Sequence, residues 1–359
     1  MKTVLLSPEL FLAEGGIARI MRLYLKALCD IAASGDRVVS IVLNDAPADD
    51  PRLARFSTVA LQGNTGCSRS KWHFLRATLK AAWRADRLVC GHLHQLPVAW
   101  LAKRFNPRLD YFLVAHGIDV WRPYSLLERL ALRDARRILC ISDYTRRQML
   151  RFCPSLEPAR LVVVPNTMDP EFVPAELPVA PVRNLQGPRI LCVARLATTD
   201  TYKGVDTLIE ALPLVRRRLP LAHLWIVGGG DDLPRLRDLA RRLGVEVACT
   251  FTGIIDDDAL RNEYAACDIF ALPSRKEGFG LVYIEAMSHG KPCLGSHSGG
   301  VPEVIDDAVG TLAAYGNIPE IAAGLIDLAQ HPRDPHTVRA HADTFAFPCF
   351  RQKLDLALR

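Results

Sequence analysis

The feature that most constrains this chain is a twofold alternation of short apolar runs with helix-period segments, broken once by prolines. In the first half, residues 2–6, 38–43, 87–90, 111–114, 138–141 and 161–164 are short, β-branched and apolar on both faces. Such strands belong in a parallel sheet covered by helices. Helical patterns lie between them, for example at 18–33 and 125–136. In the second half, residues 189–193, 223–227, 249–251, 268–272, 292–295 and 311–313 alternate with helical stretches at 205–218, 233–243, 257–266 and 282–289. The expected class is α/β, with two Rossmann-like, doubly wound domains. Pro165, Pro170, Pro174, Pro178, Pro181 and Pro188 mark a connector. This predicts a first domain over 1–166, a linker over 167–188 and a second domain over 189–344, with a cleft between the carboxyl ends of both sheets.

A composition of 49% hydrophobic and 23% charged residues excludes a disordered or fibrous chain, and 359 residues allow two cores. No run approaches the roughly 18–20 uncharged apolar residues of a spanning helix. The opening MKTVLLSPEL reaches Glu9 too early for a secretory leader and reads as a strand. Ten cysteines are scattered without a C-x-x-C pair or a zinc-like quartet, as reduced core thiols are. A cytoplasmic protein is expected. The net charge of +6 is uneven: residues 1–166 hold 25 Lys and Arg against 14 Asp and Glu, which is +11 and leaves −5 for the remainder. The basic half faces nucleic acid, a membrane surface or an anionic substrate.

The most specific stretch is PSRKEGFGLVYIE, residues 273–285, between a predicted strand and a predicted helix. Gly278 and Gly280 flank Phe279 and let backbone approach a ligand closely. The N–H groups of Gly280, Leu281 and Val282 then form an anion site at a helix N-terminus. Glu277 at the loop tip can touch the reacting end of a ligand, and Glu285 can accept from two vicinal hydroxyls. The blander reading makes both glutamates cap and surface residues. Arg195 and Lys203, on the loop after the first strand of the second domain, suit a diphosphate leaving group. In the first domain, Gly15 and Gly16 sit at a strand–helix turn where a phosphate can approach. His116 and the His92-x-His94 pair fall at sheet edges. The pair is either structural or metal-ligating; no acidic triad converges with it, so no metal is expected.

The order EGG-x-A-R, HG, ISDYTRR, VVPNTMD, VARL…YKG, HLWIVGGG, FTG and PSRKEGFGLVYIEAMSHGKPCLGSHSGGVPE resembles the retaining glycosyltransferases of family 4, which have the GT-B fold. The resemblance spans nearly the whole chain. Glu277 and Glu285 match the family's E-x₇-E motif. It implies that Arg195 and Lys203 hold the donor diphosphate, Glu285 the nucleotide ribose and Glu277 the donor sugar. It also implies that His116 lies beside the transferred sugar, that Gly16 closes over the phosphates and that Asn166 belongs to a hinge. Residues 345–359 are then a C-terminal helix returning to the first domain. Ala194 replaces the usual glycine before the arginine, and TFAFPCF lacks the tryptophan often found before the last helix.

The resemblance implies a hexose transfer from a nucleotide-diphosphate sugar, of GDP-mannose or UDP-glucose type, with retention and without a metal or other cofactor. The acceptor is a hydroxyl of a glycan or lipid-linked saccharide, or alternatively a small soluble molecule. A dinucleotide oxidoreductase would show G-x-G-x-x-G after the first strand, where the chain has EGGIAR. A non-catalytic nucleotide-sugar binder would be expected to lack Glu277, His116 or Lys203. Nucleic-acid binding lacks stacking aromatics among the arginines.

One further segment runs from Lys71 to Leu88, KWHFLRATLKAAWRADRL. Trp72, Leu75, Leu79 and Trp83 recur at helical spacing, and Arg76, Lys80 and Arg84 follow stripe members by one position. The stripe either packs on the first sheet or lies in an anionic membrane interface, making the enzyme peripheral on the inner face of the cytoplasmic membrane.

Overall fold

The apolar runs of the first half pair into a seven-stranded, all-parallel sheet: β1 (Lys2–Ser7), β2 (Arg37–Val42), β3 (Leu61–Gly66), β4 (Arg87–Cys90), β5 (Asp110–Ala115), β6 (Arg137–Cys140) and β7 (Leu161–Val163). Their order is β3-β2-β1-β4-β5-β6-β7, so the winding reverses between β1 and β4. The computed structural model describes residues 1–12, 15–177 and 187–359, in two compact units, Met1–Thr167 with Phe347–Arg359 and Met168–Ala346. Glu14 of the EGG turn and residues 178–186 of the expected linker lie outside the described residues.

In the first unit, helices α1 (Gly16–Ile31), α2 (Lys71–Ala82), α3 (Leu96–Phe105), α4 (Leu126–Asp134) and α5 (Asp143–Phe152) cover the sheet. One core holds Phe74, Ala99, Leu132 and Met149; another holds Met21, Tyr24 and Leu25 of α1. The strand β3, LQGNTG, has no counterpart in the expected strand set. It is an edge strand with two glycines and little apolar alternation, so periodicity does not reveal it.

The segment from Lys71 to Leu88 is not one helix, because α2 stops at Ala82 and β4 starts at Arg87. Its inward face is also different from the tryptophan stripe. Phe74, Thr78 and Ala82 are buried, whereas Trp72 is 77% and Trp83 62% exposed. At 100° per residue both tryptophans lie roughly 160–180° from Phe74. Small Thr78 and Ala82 let the helix sit close to the sheet, and the indoles are too large for that face.

The second unit repeats the architecture with β8 (Arg189–Val193), β9 (His223–Val227), β10 (Cys249–Gly253), β11 (Ile269–Ala271), β12 (Cys293–Ser296) and β13 (Gly310–Ala313). The six parallel strands run β10-β9-β8-β11-β12-β13, reversing between β8 and β11. Helices α6 (Val205–Arg218), α7 (Leu233–Arg242), α8 (Asp257–Ala266), α9 (Leu281–Ser288), α10 (Ile318–Gln330) and α11 (Pro335–Asp343) surround them. Residues 168–177, whose prolines read as connector, count with this unit, where Phe172 meets Tyr264 edge-on at 5.9 Å. The last helix, α12 (Phe347–Leu358), belongs to the first unit. There Phe350 packs edge-on against Tyr24 at 5.0 Å, and Arg137 donates to the carbonyls of Leu356 and Ala357.

Candidate active site

In open parallel sheets, ligand sites form at the carboxyl ends of the strands where the winding reverses. In the second unit those strands are β8 and β11, and the loops that follow them carry Arg195 with Lys203 and Glu277 with Gly280. The two loops are laced together. The carbonyl of Tyr202 accepts from the amide of Arg275 at 2.8 Å and from Ser274 Oγ at 3.2 Å. Gly204 has φ +75°, and a Cβ there would lie 2.5 Å from the Pro273 carbonyl oxygen, so only glycine permits the approach. Across this seam Lys203 Nζ donates to Glu277 Oε2 at 2.6 Å.

Glu277 is held from a third loop as well. Its carbonyl accepts from the Gly300 amide at 2.8 Å, and a Cβ on Gly299 would sit 2.2 Å from that oxygen. Beyond it, Phe279 is buried with its ring edge-on to Phe345 at 5.4 Å, so the side chain anchors the loop instead of facing a ligand. Gly278 is buried beside it. Gly280 then caps α9 at φ +92°, and its built Cβ position is 3.3 Å from Glu277 Cγ. Leu281 and Val282 are half-buried at the start of α9, where the first N–H groups of a helix lack i−4 acceptors, and the Tyr283 amide donates to the Gly280 carbonyl at 3.1 Å. One turn further, Glu285 is buried and its Oε2 accepts from Tyr264 Oη at 2.9 Å.

The charges are matched locally. Burial alone would lower the Lys203 ammonium, but the Glu277 carboxylate outweighs it and holds the lysine above its usual range. Arg195, with its side chain 72% exposed, donates Nε to Asp200 Oδ2 at 2.5 Å, and this bond raises its guanidinium further. Asp200 is buried. Each cation is therefore prepositioned by an acid, one residue from each of two loops. The sequence reading did not single out Asp200 or Tyr264; an acid midway between two cations on one loop is the signal that points to Asp200.

In the first unit, His116 follows β5 and His92 follows β4, beside the β1/β4 reversal. His116 shares a 2.8 Å hydrogen bond through Nε2 with the Gly91 carbonyl, and burial lowers its imidazole to about 4. The neutral ring carries its proton on Nε2. His92 accepts from the His94 amide at Nδ1, and its Nε2 is 3.9 Å from Asp119. Burial pushes Asp119 up to about 7. Among the described residues no group of three or more His, Cys, Asp or Glu side chains converges as a metal site. Gly15 caps α1 and Gly16 opens it, and a Cβ at either would meet nothing within 4 Å.

Two family descriptions match the chain: "Glycosyltransferase Family 4" over residues 15–172 and "Glycosyl transferases group 1" over residues 187–331. A GDP-mannose-dependent alpha-(1-6)-phosphatidylinositol monomannoside mannosyltransferase of Mycobacterium tuberculosis is 36% identical over 292 residues, 76% of this chain and 72% of that protein. The protein of the same name from Mycolicibacterium smegmatis is 36% identical over 236 residues, and the match spans 60% of its length. Among solved structures, Anabaena HepE in complex with UDP superposes with a TM-score of 0.80 over 100% of this chain and 99% of its own, at 21% identity. A sucrose-phosphate synthase from Thermosynechococcus elongatus gives 0.76 over 99% of this chain and 97% of its own, at 18% identity. At these identities the structures establish the fold, which is GT-B. With both halves matched and the Mycobacterium tuberculosis relative covered over most of its length, the chain belongs to glycosyltransferase family 4.

Proposed function

We propose that this protein transfers mannose from GDP-mannose to a hydroxyl of a membrane glycolipid, with retention of anomeric configuration and without a metal ion. The observation that carries this reading is the Lys203–Glu277 contact beside the N-cap of α9, with Arg195 on the same loop as Lys203. The donor and acceptor are those named for the mycobacterial relatives.

In this reading the anomeric C–O bond to phosphate breaks and its electron pair passes to the diphosphate. Lys203, Arg195 and the first amides of α9 meet that growing charge, which a preorganised site stabilises more strongly than water does. Glu277 holds the donor sugar, Glu285 the ribose hydroxyls, and neutral His116 the transferred sugar. The acceptor hydroxyl bonds the anomeric carbon on the face being vacated, and its proton goes to the leaving phosphate oxygen. In this reading the Gly15–Gly16 turn at the start of α1 approaches the phosphates.

Calorimetric titration with a panel of nucleoside diphosphates tests the donor assignment. GDP should bind most tightly; preference for UDP would replace mannose by a UDP-linked hexose.

We also propose that the protein acts while peripherally bound to an anionic membrane. No helix among the described residues is long and apolar enough to cross a bilayer. The outward side of α2 supports surface binding: exposed Trp72 accompanies Lys71, Arg76 and Lys80, exposed Trp83 and Arg84 follow its last turn, and the helix contains no acid. Co-sedimentation with phosphatidylglycerol vesicles should be strong at low salt and fall when Arg76, Lys80 and Arg84 are changed to Glu. Equal, negligible pelleting of both proteins would favour a soluble acceptor.

A further inference from the structure

Glu285 does not stand alone in the donor site. It lies on α9, and the hydroxyl of Tyr264, on α8, donates to its Oε2 at 2.9 Å. Both side chains are buried, Tyr264 completely. The tyrosine ring is wedged among aromatics from three other elements: Phe172 edge-on at 5.9 Å, Phe270 of β11 at 5.9 Å and His289 just past α9 at 5.6 Å. His289 is itself fixed, its Nδ1 3.0 Å from the Glu285 carbonyl. A ring held on several sides delivers its hydroxyl to one place, so the carboxylate it meets is restricted to one rotamer.

We propose that Tyr264 is a positioning residue for ribose recognition: its hydroxyl fixes the Glu285 carboxylate in the orientation that accepts from the two vicinal hydroxyls of a nucleoside diphosphate. The inference rests on the reading of Glu285 as the ribose ligand. A carboxylate with one oxygen already oriented loses less rotamer freedom on binding than a freely turning one. The ring touches no substrate in this account; it acts through the glutamate.

Tyr264→Phe keeps the ring and its packing and removes only the hydroxyl. The test measures dissociation constants for GDP and for 2′-deoxy-GDP by calorimetry, in wild type, Tyr264→Phe and Glu285→Gln. Wild type should prefer GDP by about tenfold or more, the scale of a hydrogen bond to a charged group. Glu285→Gln should lose most of that preference. Tyr264→Phe should reduce it to roughly threefold or less, with kcat at saturating donor changed far less than donor KM. The preference is a ratio within one protein, so a loss of stability alone does not move it. If Glu285→Gln loses the preference while Tyr264→Phe keeps it, the positioning role is wrong and the ribose assignment stands. If wild type shows no preference for GDP over 2′-deoxy-GDP, or Glu285→Gln keeps the wild-type preference, both are wrong.

Discussion

Lys203 Nζ sits 2.6 Å from Glu277 Oε2, so the cation assigned to the donor diphosphate and the acid assigned to the donor sugar hold one another before any ligand arrives. Their side chains are only 21% and 16% exposed. A contact so shielded from water fixes both groups; in the proposed donor site an incoming diphosphate therefore competes with Glu277 for the lysine.

Glu277→Gln should therefore separate binding from catalysis. Removing the competing carboxylate should tighten GDP binding by roughly threefold to tenfold, on the order of 1 kcal/mol. Turnover should fall all the same, because the group on the sugar is lost. Lys203→Ala should depress turnover by roughly a hundredfold to a thousandfold. Weaker GDP binding by Glu277→Gln in calorimetry would contradict the competition.

The loop geometry makes a stability prediction at Gly280. Its φ is +92°, and a Cβ would lie 2.3 Å from the Tyr283 ring, which is fully buried. Gly280→Ala should cost about 2 kcal/mol or more through backbone strain and displacement of that ring. Urea unfolding checks it; a loss of a few tenths would show that the cap is relaxed.

Asp119 gives a pH signature. Burial raises its carboxyl to about 7, so between roughly pH 4 and 7 the folded state binds the proton that the unfolded state has released. Stability from this group is present at low pH and lost as pH rises through 7. Asp119→Asn removes that loss and should gain about 1–3 kcal/mol on wild type between pH 5 and pH 8. His92 and His116, lowered to about 4 by burial, act in the opposite direction, costing stability as pH falls below their unfolded value. Repeating the comparison in a His92→Gln background separates Asp119 from His92, which lies 3.9 Å away. A pH-independent difference would show that Asp119 titrates normally in the fold.

Strand–helix alternation was legible because parallel strands covered on both faces are continuous apolar runs, and the loops after β8 and β11 followed from it. The strand β3 was not legible, since LQGNTG at an edge shows no face. Of the two readings of the tryptophan stripe, packing on the sheet fails: two tryptophans outweigh Thr78 and Ala82 in any apolar count, although small residues are what let a helix approach a sheet. At the site, the glycines and the E-x₇-E spacing were visible, but the partners were not. Tyr264 is 21 positions from Glu285, and Lys203 is 74 from Glu277; only the fold brings each pair together.

We propose that sugar transfer runs through the Arg195–Lys203–Glu277 cluster. This is tested most directly by incubating the protein with GDP-mannose and vesicles containing phosphatidylinositol monomannoside, then measuring GDP release and the mannolipid formed. The account predicts one mannose transferred per GDP released, an α-configured new linkage by NMR, and a rate at least about a hundredfold lower for Lys203→Ala. A β-configured product, or a Lys203→Ala variant that turns over at the wild-type rate, would contradict it.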